Sequence, residues 1–596
     1  MRHPLFFAIV YALVLIATAR TYKSCDSPIY CEGPLLRTVQ LSNIFTDSKT
    51  FVDRPTAKPV DEVLKAFQQL GITPSVTDIR MFVEENFLEP GMELSQVLIK
   101  SNKQPQILER VTDPAYSVWM SDLNQYWSNL TYTFNTTFLC DGCQTSILPT
   151  KRPFVVPGGR FREFYYWDSY FVIEGLLYSE LNDVAKGMIE NFLDFVETYG
   201  FLPNGARIYY LNRSQPPFLT RMIKRYLDFV DDEELFTRAL PILDTEYEFW
   251  MKNTTVEIYD PENDEKHYLN RFNVEYPYPR PEAYYEDWHT AHVDKDMTDQ
   301  ERVDLYSDLA TGAETGWDYS SRWLRNKNFN GSSQFELLKS LNTRAIVPVE
   351  LNSLLYDMEV QLSQWNTGKK KAYYQRRAEQ RLHSMDRLLW NDEYSSFYDF
   401  NLTSQCQQIE FTPANYFPFW LGAIPERIAK DNKKLLSVFS ELEGILKLYP
   451  GILTTTLVET GLQWDLPNGW PPLQYVTLHA LLNVHKRITE NKYTQSLSAQ
   501  VDSLKTVARD LATRYVESGF CGWWATGGNV PGYLSNRGHT TDTGHMFEKF
   551  NVTVIGRSGG GGEYRPQIGF GWTNSIAFWI FANFDDFRAP NCTLVI

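Results

Sequence analysis

Beyond its first twenty residues the chain has no apolar run long enough to cross a bilayer. The nearest is "WTNSIAFWIFANF" (Trp572 to Phe584), which has the length of a buried helix. No block of lysine or arginine stands out and the formal net charge is −16, so a nucleic-acid partner is not expected. Histidine is sparse, nine in 596 residues, and nowhere takes a metal-binding spacing. His289 and His292 in "HTAH" lack the glutamate of H-E-x-x-H and read better as surface residues. Strand–helix alternation is also missing, which excludes a βαβ fold. With it goes the serine hydrolase that "GRSGG" (Gly556 to Gly560) imitates, because glycines rather than a helix follow Ser558. The same glycine run lacks a following Lys-Ser/Thr and is no phosphate loop; it reads as backbone passing close to other groups. Neither a metal nor a cofactor is expected.

Cysteine is scarce too, seven residues, too few for a disulfide-built scaffold. What cysteine there is fits an oxidising compartment, with local pairs Cys25–Cys31 and Cys140–Cys143; the odd count leaves one thiol over. The N-terminus agrees. Arg2 and His3 precede an apolar run from Leu5 to Ile16, and Ala17-Thr18-Ala19 offers a cleavage site. Residues 1–19 therefore read as a secretory signal peptide, and a secreted, extracellular protein without a membrane span is expected. N-x-S/T sequons begin at Asn129, Asn135, Asn212, Asn253, Asn330, Asn401, Asn551 and Asn591, so a glycoprotein is expected. The Asn212 sequon lies in a stretch assigned below to the site and is expected to stay unused.

With 43% hydrophobic and 22% charged residues the remainder is globular, and its periodicity is helical. In "DVAKGMIENFLDFVETYG" Val184, Met188, Phe192 and Phe195 form one stripe and Gly200 stops the helix. In "PVELNSLLYDMEVQLSQWNTG" Pro348 suits the first turn, Leu351, Leu354, Leu355, Met358 and Leu362 form the stripe, and Gly368 is read as its close. "SMDRLLWNDEYSSFYDFN" reads as a helix, a turn and a strand-like edge. Such units repeat to the C-terminus. The expected organisation is an N-terminal lead-in over 20–150 packed on one all-α domain over 151–596, its antiparallel helix pairs closing into a toroid.

Chemistry concentrates in the connections. "PGGRFREFYYWDSYF" (Pro157 to Phe171) sets seven rings among Arg160, Arg162, Glu163 and Asp168. "FLPNGARIYYLNRSQPPF", "PYPRPEAYYEDW", "AETGWDYSSRW", "QWDLPNGWPP" and the segment from His545 to Asn574 have the same character. One such loop is as well explained by a buried ion pair under rings. Six describe a carbohydrate site, where rings stack on sugar faces and planar polar groups bind hydroxyls. Glycoside hydrolysis needs a protonated carboxyl and an ionised one. Asp168, Glu282, Asp318, Asp465, Glu548 and Glu563 all qualify, and spacing does not choose between them.

"PGGRFREFYYWDSYF" and "QWDLPNGWPP" closely resemble the two signature stretches of the trehalases. "NRSQPPF", "PRPE", "GWDYSSRW" and "GGGGEY…GFGWTN" follow in that family's order, and "CDSPIYCEGPLL" and "DSKTFVD" resemble its animal branch. The resemblance spans Cys25 to Phe584. It implies an (α/α)6 toroid and hydrolysis of α,α-trehalose to two glucoses with inversion. Asp318 is implied as general acid and Glu548 as general base. Arg160, Arg213 and Arg280 are implied as essential arginines. Trp167, Asp168, Asn204, Ser214, Gln215, Pro281, Glu282, Gly316 and Glu563 are implied as sugar contacts, with Trp464, Asp465 and Trp470 bordering the pocket. One departure from the family pattern is the Gly- and Trp-rich stretch Cys521 to His545, which reads as loop, a lid or a surface insertion. If it displaced Glu548, the chain would be a trehalose-binding pseudoenzyme; a glycosidase of the same fold with another substrate is a third reading.

Overall fold

The computed structural model describes residues 25–99, 104–327, 333–490, 498–534 and 544–594; the signal-peptide reading and the Asn330 sequon fall outside them. The described chain is mostly helical, with short two- and three-stranded sheets. None of its helices is long and apolar enough to cross a membrane.

The helices sort into two rings by the way they bury their surface. Every residue from Tyr166 to Leu177, from Gly571 to Phe581 and from Phe417 to Leu421 is buried. Helices buried on all sides, with few polar residues, belong inside other helices. With Leu219–Leu227, Val349–Trp365 and Pro471–Glu490 they form an inner ring in which each helix packs on the next, and Gly571–Asn583 closes it against Tyr166–Tyr178. The closing contact is tight. A Cβ on Gly175 would lie 2.3 Å from Ser575 Oγ and 2.8 Å from Ser575 Cα, so this position takes only glycine. The outer ring is amphipathic: Pro114–Leu130, Asn182–Tyr199, Glu233–Thr254, Gly368–Leu388, the short helices from Asn432 to Leu448, and Ser498–Ala525. Inner and outer helices alternate along the chain, which gives the (α/α)6 toroid.

Local sequence signals account for most helix ends. Asn182–Tyr199 buries Met188, Phe192 and Phe195 and ends on Gly200 at φ 83°. Val349–Trp365 buries its leucine stripe behind Pro348 at the N-cap, but Gly368 does not close it. Asn366 is the C-cap, and Gly368 opens the next helix behind Thr367. After that helix, Trp390–Asn391 pairs with Ser396–Phe397 as a strand edge. The stretch read as loop from Cys521 is helical up to Ala525, because its tryptophans are buried: Trp523 and Trp524 pack in the toroid core.

The toroid's apolar core begins at Ile107 and includes the Pro114–Leu130 helix. The earlier helices Pro34–Leu41, Lys49–Val52, Val60–Gln69 and Val76–Asn86 form a second cluster. That cluster is completed by Tyr165, Tyr209, Tyr210 and Tyr284, which lie on the toroid's ring-rich connections. Beneath it lies a buried ionic network. Lys49 Nζ sits 2.7 Å from Glu163 Oε1, Arg207 Nε 3.0 Å from Glu163 Oε2, and Arg207 Nη1 3.1 Å from Glu93 Oε1. Cys25–Cys31 and Cys140–Cys143 are disulfides, as is Cys521–Cys592; among the described cysteines Cys406 is free and exposed.

Candidate active site

The connections at one end of the inner ring converge on a single pocket. Asp318, Glu548, Arg160, Trp167, Asp168, Asn204, Arg213, Gln215, Arg280, Glu282, Gly316, Glu563, Trp464 and Trp470 all line it. Three residues named from the sequence stand behind the wall. Ser214 donates from its backbone N–H to Glu314 and from Oγ to the Leu202 carbonyl. Pro281 offers its carbonyl to Gln40 Nε2 at 2.8 Å. Asp465 accepts from Ser320 Oγ at 2.7 Å, Ser321 N–H at 2.8 Å and Thr460 Oγ1 at 2.6 Å, and so pins the turn that follows Asp318.

The apolar wall is an indole stack. Trp317 and Trp464 are stacked with centroids 5.0 Å apart, and Trp464 and Trp470 at 3.9 Å with planes 1° apart. Cations cover both ends: the Arg322 guanidinium lies 4.7 Å from the Trp317 centroid and Lys549 Nζ 5.0 Å from that of Trp470. Trp167 and Trp572 meet edge to face beside the stack. Gly316 ends the Asp299–Thr315 helix at φ 77°, where a Cβ would come 2.9 Å from the Trp167 ring. Glycine at that point therefore serves both the turn and the approach of the indole.

The arginines are held by carboxylates. Arg280 grips Asp287 through Nε at 2.9 Å and Nη2 at 2.6 Å, and Nη2 also donates to Glu563 at 2.8 Å. Arg213 pairs with Glu282 under the Tyr210 ring. Arg160 lies 4.4 Å from the Tyr564 ring centroid, with Nη2 2.8 Å from Asp47 Oδ1. Asp47, and Lys49 in the pocket lining, come from the lead-in segment.

Asp318 and Glu548 differ in their hydrogen bonds. Glu548 accepts from Tyr564 OH at 2.8 Å and from the Gln567 N–H at 3.1 Å, so both oxygens have donors. Among the described residues the Asp318 carboxyl accepts no side-chain hydrogen bond. Its backbone carbonyl accepts from Gln463 Nε2, and Gln463 Oε1 in turn accepts from Lys549 Nζ at 3.0 Å. Gln463 and Lys549 thus tie the two carboxyl-bearing loops together.

Burial dominates the electrostatics. It pushes the Asp318 carboxyl up, against the pull of Arg280, Lys549 and Arg160. It pushes Glu548 up as well, opposed by Lys549, the Gln567 N–H and Tyr564. Asp168 is held well above the usual carboxylate range by burial and by its neighbours Glu548 and Asp318. Burial carries Glu563 to about 8 despite Arg280, and lowers Lys549 to about 8. Clusters of perturbed groups in a cleft mark functional sites.

The Cys521–His545 stretch leaves Glu548 in the pocket. Its two ends meet where the His545 N–H donates to Thr526 Oγ1 at 2.7 Å, and Cys521 is bonded to Cys592. The glycine run passes closely over the loop that leads to Trp464: a Cβ on Gly561 would lie 2.2 Å from the Gly461 carbonyl oxygen.

Several lining residues were not assigned from the sequence: Lys49, Phe161, Tyr165, Tyr210, Ala283, Ala313, Tyr564, Phe570 and Trp572. Most fall inside the ring-rich stretches, where position in the stretch gives no hint of which ring faces the cavity.

A helical toroid whose central pocket sets buried carboxyls and clamped arginines against an indole wall defines a glycoside hydrolase. The trehalase family model matches residues 43–585. A trehalase of Dictyostelium discoideum is 38% identical over 94% of this chain and 90% of its own length. One of Apis mellifera is 38% identical over 98% and 88%, and one of Homo sapiens 35% identical over 95% and 93%. Among solved structures, the neutral trehalase of Saccharomyces cerevisiae covers 73% of this chain and 74% of its own, with a TM-score of 0.52 at 23% identity, a likeness of fold. The chain belongs to the trehalase family.

Proposed function

We propose that the chain hydrolyses α,α-trehalose with inversion, Asp318 acting as general acid and Glu548 as general base. Its family membership supplies the substrate. The observation that carries the roles is the unequal solvation of the two carboxyls in one pocket. Asp318, half-buried at the pocket wall and without a side-chain donor, keeps its proton and delivers it to the leaving glycosidic oxygen. Glu548, with donors on both oxygens and Lys549 beside it, is the carboxyl that stays ionised and takes a proton from water as the water attacks the anomeric carbon. The C–O bond to the leaving glucose breaks as the bond to water forms, so one glucose departs as α and the other is released as β. Arg160, Arg213 and Arg280, immobilised by Asp47, Glu282 and Asp287, present fixed donors to the sugar hydroxyls. Trp464 and Trp470, their faces taken by the stack and by Lys549, offer indole edges against which a pyranose packs.

Asp318→Asn and Glu548→Gln keep shape and remove the proton chemistry. Each is expected to lower kcat by at least ~10²-fold with an unchanged circular dichroism spectrum. Near-normal turnover of either variant contradicts that residue's role.

We also propose that the chain is exported. The N-terminal leader, the sequons and three disulfides support this, since disulfides persist in oxidising compartments. Asn129 and Asn591 are exposed acceptors, whereas Asn212 is half-buried with its Oδ1 accepting from Arg213.

A further inference from the structure

We propose that the hairpin Thr255–Asp260/Glu265–Asn270 and the helix Gly368–Leu388 that packs on it form a binding site for a divalent zinc-class ion. The ligands are His267, His383 and Glu265, with the Asp260 carboxylate beside them.

The argument starts at His267. The side chain is 1% exposed, yet its Nε2 makes no hydrogen bond. A buried polar atom without a partner is costly, and few are left so without a reason. The other ring nitrogen, Nδ1, is 3.3 Å from Ser384 Oγ. That contact turns Nε2 toward two carboxylates, 3.9 Å from Asp260 Oδ2 and 3.9 Å from Glu265 Oε2. The hairpin register places Asp260 directly opposite Glu265. Asn263 and the Glu262 N–H serve Asp260 and His383 serves Glu265, but two like charges facing each other across an antiparallel pair are still unfavourable, and a cation beside them relieves that repulsion.

The second imidazole completes the set. His383 Nε2 is 3.0 and 3.1 Å from the two Glu265 oxygens, and the two imidazole centroids are 5.5 Å apart. The ligand atoms of Glu265, His267 and His383 all lie within 4.8 Å of one another. Tetrahedral zinc with bonds near 2.0–2.1 Å spaces its ligand atoms about 3.3 Å apart. The observed separations of 3.0 and 3.9 Å bracket that value. Two imidazoles with carboxylates select zinc and its transition-metal neighbours over magnesium or calcium, which prefer all-oxygen shells. Ser384 behind Nδ1 fixes the ring so that Nε2 is left to face the ion. Arg387 is a cation whose field opposes the ion.

None of these residues lines the active-site pocket. The ion would therefore clip a surface hairpin to an outer-ring helix, stabilising the fold without entering the reaction. The sequence hides the site because its two histidines come from elements far apart along the chain.

The test uses the full-length protein, stripped with EDTA, dialysed, and titrated with zinc chloride in a calorimeter. One ion per chain is expected, with a higher Tm in zinc and unchanged trehalose hydrolysis after chelation. His383→Ala and Glu265→Gln alter partly exposed side chains and leave the buried His267 in place, so the fold is retained. Each is expected to weaken binding at least about tenfold and to abolish the Tm rise. His292→Ala, on a surface histidine elsewhere, is expected to bind as the wild type does. Absence of stoichiometric binding, or wild-type affinity in both His383→Ala and Glu265→Gln, overturns the proposal and leaves His383 and Glu265 as an ion pair only.

Discussion

Glu548 and Asp318 line the same pocket, and burial moves both carboxyls upward. What separates their roles is the Tyr564 hydroxyl and the Gln567 N–H on Glu548. Because burial raises Glu548, the acid limb of kcat/KM is expected above the ordinary glutamate value of about 4.3. The sign follows from the base's need to be ionised: activity falls as pH drops through the raised Glu548 pKa. Tyr564→Phe removes a hydrogen bond that favours the carboxylate, a contact worth roughly 1.5–3 kcal/mol at a charged group. The acid limb is then expected to move further up, read from kcat/KM against pH. A limb that stays in place, or moves down, contradicts the assignment of Glu548 as base. At this scale the sequence was informative about residue types and silent about roles. Six acids qualified on composition, and only family resemblance singled out Asp318 and Glu548. Tyr564, which distinguishes them physically, stood in a quoted stretch but had nothing local to mark it.

Among the elements, the lead-in is the least expected contributor to the pocket. Its Lys49–Val52 helix and the turn before it supply Lys49 to the lining and Asp47 to Arg160. The Asp47–Arg160 pair is partly solvated and adds little to stability, on the order of 0–1 kcal/mol. Its effect on orientation is larger, because displacing a substrate-clamping arginine by about an ångström costs up to ~10²-fold in rate. Asp47→Asn is therefore expected to lower kcat/KM roughly 10- to 100-fold while leaving Tm nearly unchanged. A large fall in Tm with normal kcat/KM would show that Asp47 serves the fold instead. No local pattern announces such a contact, since its partners are 113 residues apart. The elements themselves were more legible. The stripes of Asn182–Tyr199 and Val349–Trp365 are visible at 3.6-residue spacing, and the Trp572 to Phe584 run is uncharged with an apolar stretch from Ile576 to Ala582. Gly368 was misread because a glycine that ends one helix and one that begins the next look the same in sequence.

For the whole molecule, the ring closes where Tyr166–Tyr178 meets Gly571–Asn583, two helices from opposite ends of the toroid sequence. Gly175 permits that approach. Gly175→Val places methyl groups where Ser575 already stands, and is expected to cost about 1–3 kcal/mol or more and to lower Tm. Thermal unfolding checks it, and an unchanged Tm would show that the closing contact is looser than drawn. The toroid as a class could be inferred from repeated helix-and-loop units, but the identity of the closing pair could not, because ring closure joins residues with no sequence proximity. The same closure brings the Arg160 connection against the Gln567–Gly569 turn that holds Glu548, where the Arg160 N–H donates to Gln567 Oε1 at 2.8 Å. Fold and mechanism therefore meet in one reaction, and proton NMR of the first seconds of trehalose hydrolysis reads it directly, before mutarotation mixes the products. Equal amounts of α- and β-glucose are expected; α-glucose alone would mean retention and would contradict the pairing of Asp318 with a water held by Glu548.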